Sequence, residues 1–229
     1  MSQPTPFYLN TAFFKYPKQA AFGRTLPKNK IYEHSGANSR LKDLFVEQVE
    51  QITWQYKLAP ETINLPAKPG VLELQIFSIQ LKTAELNLDV LRCIDGAVQF
   101  PIIFELNFDG RVQVIAAYKR PNESTPCRWV LSNYFATAWL PSTLERTGLP
   151  IALDLVGLYE QILHRLLPLS VRPHESLGTL VTRVEQVAVK QREIEKIASK
   201  LAKEKQFNRK VEINAELRKL KVELEKLKH

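Results

Sequence analysis

The sequence predicts an α+β protein: a small body mixing helices with an antiparallel sheet, followed by a long α-helical, coiled-coil-like C-terminal tail. Three observations predict it. Residues 179–229 contain neither proline nor glycine, and apolar residues recur there at steps of three and four between Lys and Arg. Upstream, residues 71–81 and 100–119 are apolar runs of strand length. Amphipathic segments with capping residues separate them, so the order is helix, strand, helix, three strands, helix, long helix, which fits an α+β body.

The elements follow in order. Residues 1–38 form an arm with Pro4, Pro6, Pro17 and Pro27, in which Phe7, Tyr8, Phe13, Phe14 and Tyr16 are expected to pack on the body. Gly36-Ala37-Asn38-Ser39 offers a turn and an N-cap. Leu41, Leu44, Phe45, Val49, Ile52 and Tyr56 follow at helical spacing, predicting a helix over 40–58 that Pro60 ends. Residues 71–81 read as a buried strand carrying Glu73 and Gln75. Asn87 caps a helix over 88–97, with Leu91, Ile94 and Ala97 inward.

Residues 100–119 read as a hairpin. A two-residue Asp109-Gly110 turn would set Leu106 opposite Gln113 and Glu105 opposite Val114, mixing polar and apolar side chains on each face. A three-residue loop, 108–110, pairs Leu106 with Val112 and Phe104 with Val114 and leaves one face wholly apolar, so the three-residue loop is the expectation. A strand over 128–135 and an amphipathic helix over 151–167, with Leu153, Val156, Tyr159, Ile162, Leu163 and Leu166 on one side, complete a body spanning 39–170.

In the tail, 171–229, Leu180, Val184, Val187, Gln191, Ile194, Ala198 and Leu201 form one heptad seam, and Ile213, Leu217, Leu220, Leu224 and Leu227 a second, out of register with the first. Residues 203–210 are the break. With no Gly or Pro there, the expectation is a continuous or kinked helix about 75 Å long rather than a hairpin. A seam of that length exceeds what a small body can cover, which marks Leu217, Leu220 and Leu224 as an interface for homo- or hetero-oligomerisation.

The 229-residue chain has a net charge of +8, divided unevenly: +5 over residues 1–40, −3 over 41–171 and +6 over 172–229. Basic ends suit nucleic acid, an anionic surface or an acidic partner. Phe207, between Lys203 and Lys205 on one side and Arg209 and Lys210 on the other, makes a basic patch with an aromatic, so Lys205, Phe207, Arg209 and Lys210 are the candidate nucleic-acid contacts. The competing reading is that Phe207 fills the core at the phase shift. No apolar run has the length of a membrane span and no signal peptide opens the chain, so a cytoplasmic location is expected.

The chemistry-bearing residues are sparse. Cys93 and Cys127 are unpaired by spacing, the four histidines lie far apart, and there is no phosphate-cradling glycine loop. Nothing indicates a cofactor, and no residue is assigned a catalytic or metal-binding role. One catalytic alternative is a divergent metal-dependent nuclease using Glu73 and Glu105, since such enzymes cluster carboxylates around the metal with a lysine two residues beyond an acid. Here Gln75 occupies the lysine position, and Lys82 and Lys119 lie too far along their strands to replace it. The competing reading, a satisfied Glu73/Gln75 pair inside the body, is preferred.

Segments 26–33, 52–58, 73–77, 94–95, 103–106, 117–120 and 205–212 resemble an uncharacterised bacterial family, domain of unknown function 4391. The resemblance implies genes beside DNA methyltransferases and helicases in restriction-like, phage-defence clusters. It therefore implies an accessory protein in a DNA-acting complex, and the leading expectation is a non-catalytic subunit whose body docks on a helicase or methyltransferase while the basic tail self-associates, grips a partner or lies on DNA. Gly96 departs from the helix former expected after Asp95, which leaves open where that helix ends.

Overall fold

The computed structural model describes residues 12–122, 124 and 129–228. The expectations for Phe7, Tyr8, most of the 121–126 loop, Cys127 and Arg128 fall outside them. The described residues form two compact units, divided between Leu166 and Leu167. The fold is mixed α/β with a mostly antiparallel sheet.

The first unit is built on strands β2 (Ala21–Thr25), β3 (Val49–Leu58), β4 (Leu74–Leu81), β5 (Ile102–Phe108), β6 (Arg111–Pro121) and β7 (Trp129–Ala136), side by side in that order. The short β8 (Leu140–Pro141) also pairs with β6. Within this sheet only β4 and β5, among the described residues, run parallel, joined by the crossover helix α4 (Leu88–Ala97). Both faces are buried. Phe77, Ile79, Ile102, Phe104 and Leu106 pack with residues of α1 (Lys28–Ser35), α2 (Ser39–Gln48) and α4. The alternate residues Ile76, Ile103, Val114 and Ala116 are buried as well. A two-stranded parallel pair, β1 (Phe14–Lys15) with β9 (Thr147–Gly148), holds the start of the described chain. The short α3 (Pro60–Ile63) follows β3, and α5 (Leu155–His164) closes the unit.

Several elements are where the sequence puts them. Asn38 accepts from the Leu41 amide and starts α2, Asn87 accepts from the Asp89 amide and starts α4, and α4 runs through Gly96 to Ala97. The stretch expected to be irregular instead contributes an edge strand, β2, and a helix, α1, which ends on Gly36 at φ 65°.

Three expectations are corrected. The helix expected over 40–58 ends at Gln48, and Val49–Leu58 is a strand. Val49, Ile52 and Tyr56 fit a helical period, but the run from Ile52 to Tyr56 is rich in β-branched and aromatic residues, and pairing on both sides with β2 and β4 decides it. The end of α2 is fixed by two ammonium groups on its last carbonyls: Lys28 Nζ donates to Phe45 O at 3.0 Å and Lys82 Nζ to Val46 O at 2.8 Å.

The β5–β6 hairpin has the two-residue turn. Phe108 pairs with Arg111, Leu106 with Gln113 and Glu105 with Val114, and the turn residues have positive φ, 46° at Asp109 and 68° at Gly110. The apolar-face criterion fails because this sheet is covered on both sides, so neither face needs to be purely apolar. The helix expected over 151–167 spans only Leu155–His164. Asp154 is extended and accepts from the Gly157 amide, which starts the helix there. Ile151 and Leu153 stay outside it, 94% and 89% exposed.

The second unit is a helical hairpin of α6 (Leu177–Lys203) and α7 (Phe207–Lys228). Among the described residues the tail is not one long helix: the two helices have 27 and 22 residues and pack against each other. They run antiparallel, since Lys190 pairs with Glu223 at 2.9 Å and Arg183 reaches Leu227. The two heptad seams are out of register because they meet each other across the hairpin. Leu217 and Leu224 are buried and Leu220 is half-buried there, so these three leucines have a home within the chain.

Candidate functional site

The candidate nucleic-acid residues come together at the tip of the hairpin. Lys203 is the last residue of α6 and Phe207 the first of α7, with Glu204-Lys205-Gln206 between them. No glycine or proline makes this turn. Glu204 leaves the helix with extended backbone, φ −70° and ψ 136°, and its Oε1 accepts from the Lys205 and Gln206 amides at 2.8 and 2.9 Å. The carboxylate thus satisfies amides that a continuing helix would have bonded internally. Those two bonds hold the Glu204 carboxyl below its ordinary range.

Lys200, Lys203, Lys205, Phe207, Arg209 and Lys210 are all exposed. Residues 199–210 carry five basic side chains and one acid. That acid is Glu204, whose other oxygen lies 3.8 Å from Arg209 Nε. Among the described residues Lys200, Lys203, Lys205 and Lys210 have no carboxylate within ion-pair distance. Phe207 is 77% exposed, so the reading in which it fills the core at a phase shift does not hold. The tip is rich in exposed cations beside one exposed aromatic ring, and Glu212 and Glu216 line the same hollow as Lys200, Lys203 and Arg209.

The base of the hairpin has its own cationic device, which no sequence pattern signalled. Arg183 Nε and Nη2 each donate to a Glu175 carboxylate oxygen at 2.7 Å, while Nη1 donates to Leu227 O at 3.1 Å. Arg172 Nη2 donates to Lys226 O and Leu227 O at 2.8 and 3.1 Å. Two guanidinium groups therefore cap the carbonyl end of α7, where the helix dipole favours positive charge. Hydrogen bonding from Arg183 pulls the Glu175 carboxyl down to about 2.

The acids of the nuclease alternative do not meet. Glu105 pairs in register with Ser78, five residues beyond Glu73, a separation of roughly 16 Å along a strand. Each has its own partners: Gln75 donates to Glu73, with Lys57 Nζ 3.4 Å from the same carboxylate. Glu105 is held bidentately by Arg146 at 2.6 and 2.8 Å. Arg146 also donates to Phe14 O at 2.8 Å and lies 4.0 Å from the Phe13 ring centre, so it ties the β1 segment to the sheet. Among the described residues no three His, Cys, Asp or Glu side chains converge as metal ligands would.

A second buried polar cluster lies across β6 and α4. Lys119 is 2% exposed, and its Nζ donates to Asp95 O at 2.6 Å and Val98 O at 2.5 Å, capping the end of α4. The Asp95 carboxylate lies 3.7 Å from that ammonium and accepts from Tyr134 OH at 2.5 Å. Burial dominates here. It raises Asp95 to about 6 and lowers Lys119, each against the attraction of the other. The register shift between Ala117 and Lys119 is stitched by Tyr159, whose hydroxyl donates to Ala117 O and accepts from the Lys119 amide, both at 2.9 Å. Asp95 was legible only as a member of a stretch that carries the family resemblance, whereas Glu105 and Lys119 were weighed only for the nuclease alternative. Arg146 lies in the aperiodic stretch 136–150, where the sequence offered no signal.

No helix among the described residues is long and apolar enough to cross a membrane. Comparison with curated proteins and with solved structures returns no match. A family model, Domain of unknown function (DUF4391), matches residues 14–224, nearly the whole described chain. The chain belongs to the DUF4391 family.

Proposed function

We propose that the protein is a non-catalytic accessory subunit of a restriction-like, phage-defence complex acting on DNA. In this reading the first unit docks on a helicase or methyltransferase partner, and the hairpin tip contacts nucleic-acid phosphates. The observation that carries it is the tip itself: exposed Lys200, Lys203, Lys205, Arg209 and Lys210 around exposed Phe207. Lysines with no carboxylate within ion-pair distance are available for an external anion, and phosphate contacts without groove-reading side chains give sequence-independent binding.

The test is a fluorescence titration against duplexes of different sequence at several salt concentrations, with wild type and a Lys205→Ala/Arg209→Ala/Lys210→Ala variant. Binding should weaken equally for all sequences. The slope of log affinity on log salt should fall by about 0.9 for each phosphate that the variant no longer neutralises, and about two such phosphates are expected. An unchanged slope removes nucleic acid from the role of the tip.

The geometry supports the nuclease alternative poorly, since Glu73 and Glu105 are separated and separately partnered. Glu73→Gln is expected to leave any cleavage assay unchanged. Mg²⁺-dependent cleavage by wild type that disappears in Glu73→Gln would reinstate that alternative.

A further inference from the structure

We infer that the hairpin tip takes single-stranded nucleic acid, with Phe207 as the platform for one unpaired base and the surrounding cations on the phosphates either side of it. This rests on the phosphate-binding reading of the tip and adds the kind of strand it selects.

The ring is the first argument. Phe207 is 77% exposed, and among the described residues it has no ring or cation partner. Val211, one turn further along α7, is 54% exposed and extends the same apolar ridge. A lone exposed apolar residue is ordinary on a protein surface. This ridge differs because Lys203, Lys205, Arg209 and Lys210 fall within four residues of the ring on either side.

The second argument is placement. The ring sits on the first residue of a 22-residue helix, after a link whose backbone is held by the Glu204 carboxylate. The backbone that carries it is therefore set before any ligand arrives, which lowers the ordering cost of stacking. The Lys205 and Gln206 amides are taken by Glu204, so they are not open to a phosphate.

The third argument is what each form of nucleic acid offers. In a duplex, each interior base has both faces covered by its neighbours, so an exposed phenyl ring gains nothing from it. An unpaired strand presents bare base faces, and its flexible backbone lets the flanking phosphates reach cations on both sides of the ring. Aromatic platforms set in basic surroundings bind single strands with little sequence preference for this reason. A protein partner would need an acidic surface with an apolar socket, a more specific demand than the tip makes.

The experiment uses the full chain and fluorescein-labelled oligothymidine, with a labelled duplex of the same length as competitor class. The oligonucleotide should exceed the site size of such surfaces, about 4–16 nucleotides. Wild type should bind the single strand more tightly than the duplex. Phe207→Ala should weaken the single strand about 5- to 150-fold, the factor expected for one stacked base, with duplex binding and the salt slope unchanged. Phe207→Trp should restore single-strand binding. Circular dichroism of Phe207→Ala should match wild type, since the ring is not part of the core.

Equal weakening on both kinds of strand, or no weakening at all in Phe207→Ala, overturns the stacking role. If Phe207→Ala binds as wild type while the triple lysine/arginine variant shows a reduced salt dependence, stacking is wrong and phosphate binding stands. If wild type binds neither form, the reading of the tip falls altogether.

Discussion

Arg183 donates to the carbonyl of Leu227 across forty-four residues of chain, at 3.1 Å. That bond closes the hairpin at its base, while Glu204 turns the chain at its tip. The tail is thereby a finished unit whose leucines face one another, and its basic segment projects at the turn. Replacing Arg183 leaves Glu175 and the α7 carbonyls without their donor. Arg183→Met should destabilise the hairpin by about 3–5 kcal/mol, the usual consequence of removing one partner of a buried pair. Helicity at 222 nm followed against denaturant would check this; an unchanged transition would mean that the clamp contributes little.

Leu217 is buried between the hairpin helices. Leu217→Ala should cost about 2–5 kcal/mol, and Leu220→Asp should open the hairpin instead of merely stripping a partner. Val222→Asp is the control, because Val222 is exposed on α7. Paired denaturation curves decide it. Equal stability of Leu217→Ala and Val222→Asp would contradict the packing of α6 on α7.

Much of the fold was legible in the sequence where one local signal had no competitor. Asn38 and Asn87 announced helix starts because their side chains accept from amides that a helix leaves open. Three of the failures share a cause, which is that tertiary pairing outweighed a local pattern. The helical spacing of Val49, Ile52 and Tyr56 yielded to strand pairing on two sides. The apolar hairpin register yielded because Glu105 finds Arg146 in the interior. The tail folded back because its seams could cover each other, through a turn made by a glutamate side chain that no turn rule flags. Lys205, Phe207, Arg209 and Lys210 were found from composition alone, but their convergence at a tip needed the fold.

The turn between β5 and β6 tests the register directly. Gly110 has φ 68°, and a Cβ built there meets nothing within 4 Å. Gly110→Ala should therefore destabilise the first unit by about 1–2 kcal/mol through backbone conformation alone. Under a three-residue loop Gly110 would be left-handed too, but Asp109 would have negative φ, so Asp109→Gly would destabilise the unit instead of leaving it near wild type. Chemical denaturation of Gly110→Ala, with Asp109→Gly as the comparison expected near wild type, separates the two.

The two units should answer acid in opposite senses. Burial raises Asp95 to about 6, above its unfolded value of about 3.9. Its stabilising form is the protonated one, so the contribution is full below about pH 4 and is lost as pH rises through about 6. Glu175 is held down at about 2, so its contribution is present above its unfolded value of about 4.3 and is lost as pH falls through about 2. Thermal melts across pH should show that Asp95→Asn removes the loss of first-unit stability between about pH 4 and 6, and that Glu175→Gln removes the acid loss of hairpin helicity. A wild-type-minus-variant difference that stays constant with pH in either case would refute the assignment.

Every functional statement about the tail depends on the chain turning back at Glu204–Gln206. The most direct measurement is a pulsed electron–electron distance between spin labels at Gln186→Cys and Lys226→Cys, with Cys93 and Cys127 replaced by Ser. Both labelled positions are exposed. The antiparallel hairpin predicts a short separation, with helix axes about 8–10 Å apart plus the reach of the labels. One continuous helix would place the same two positions about 60 Å apart, at 1.5 Å per residue. A dominant distance near the longer value would contradict the hairpin and, with it, the assignment of Phe207 and its basic neighbours to a binding tip.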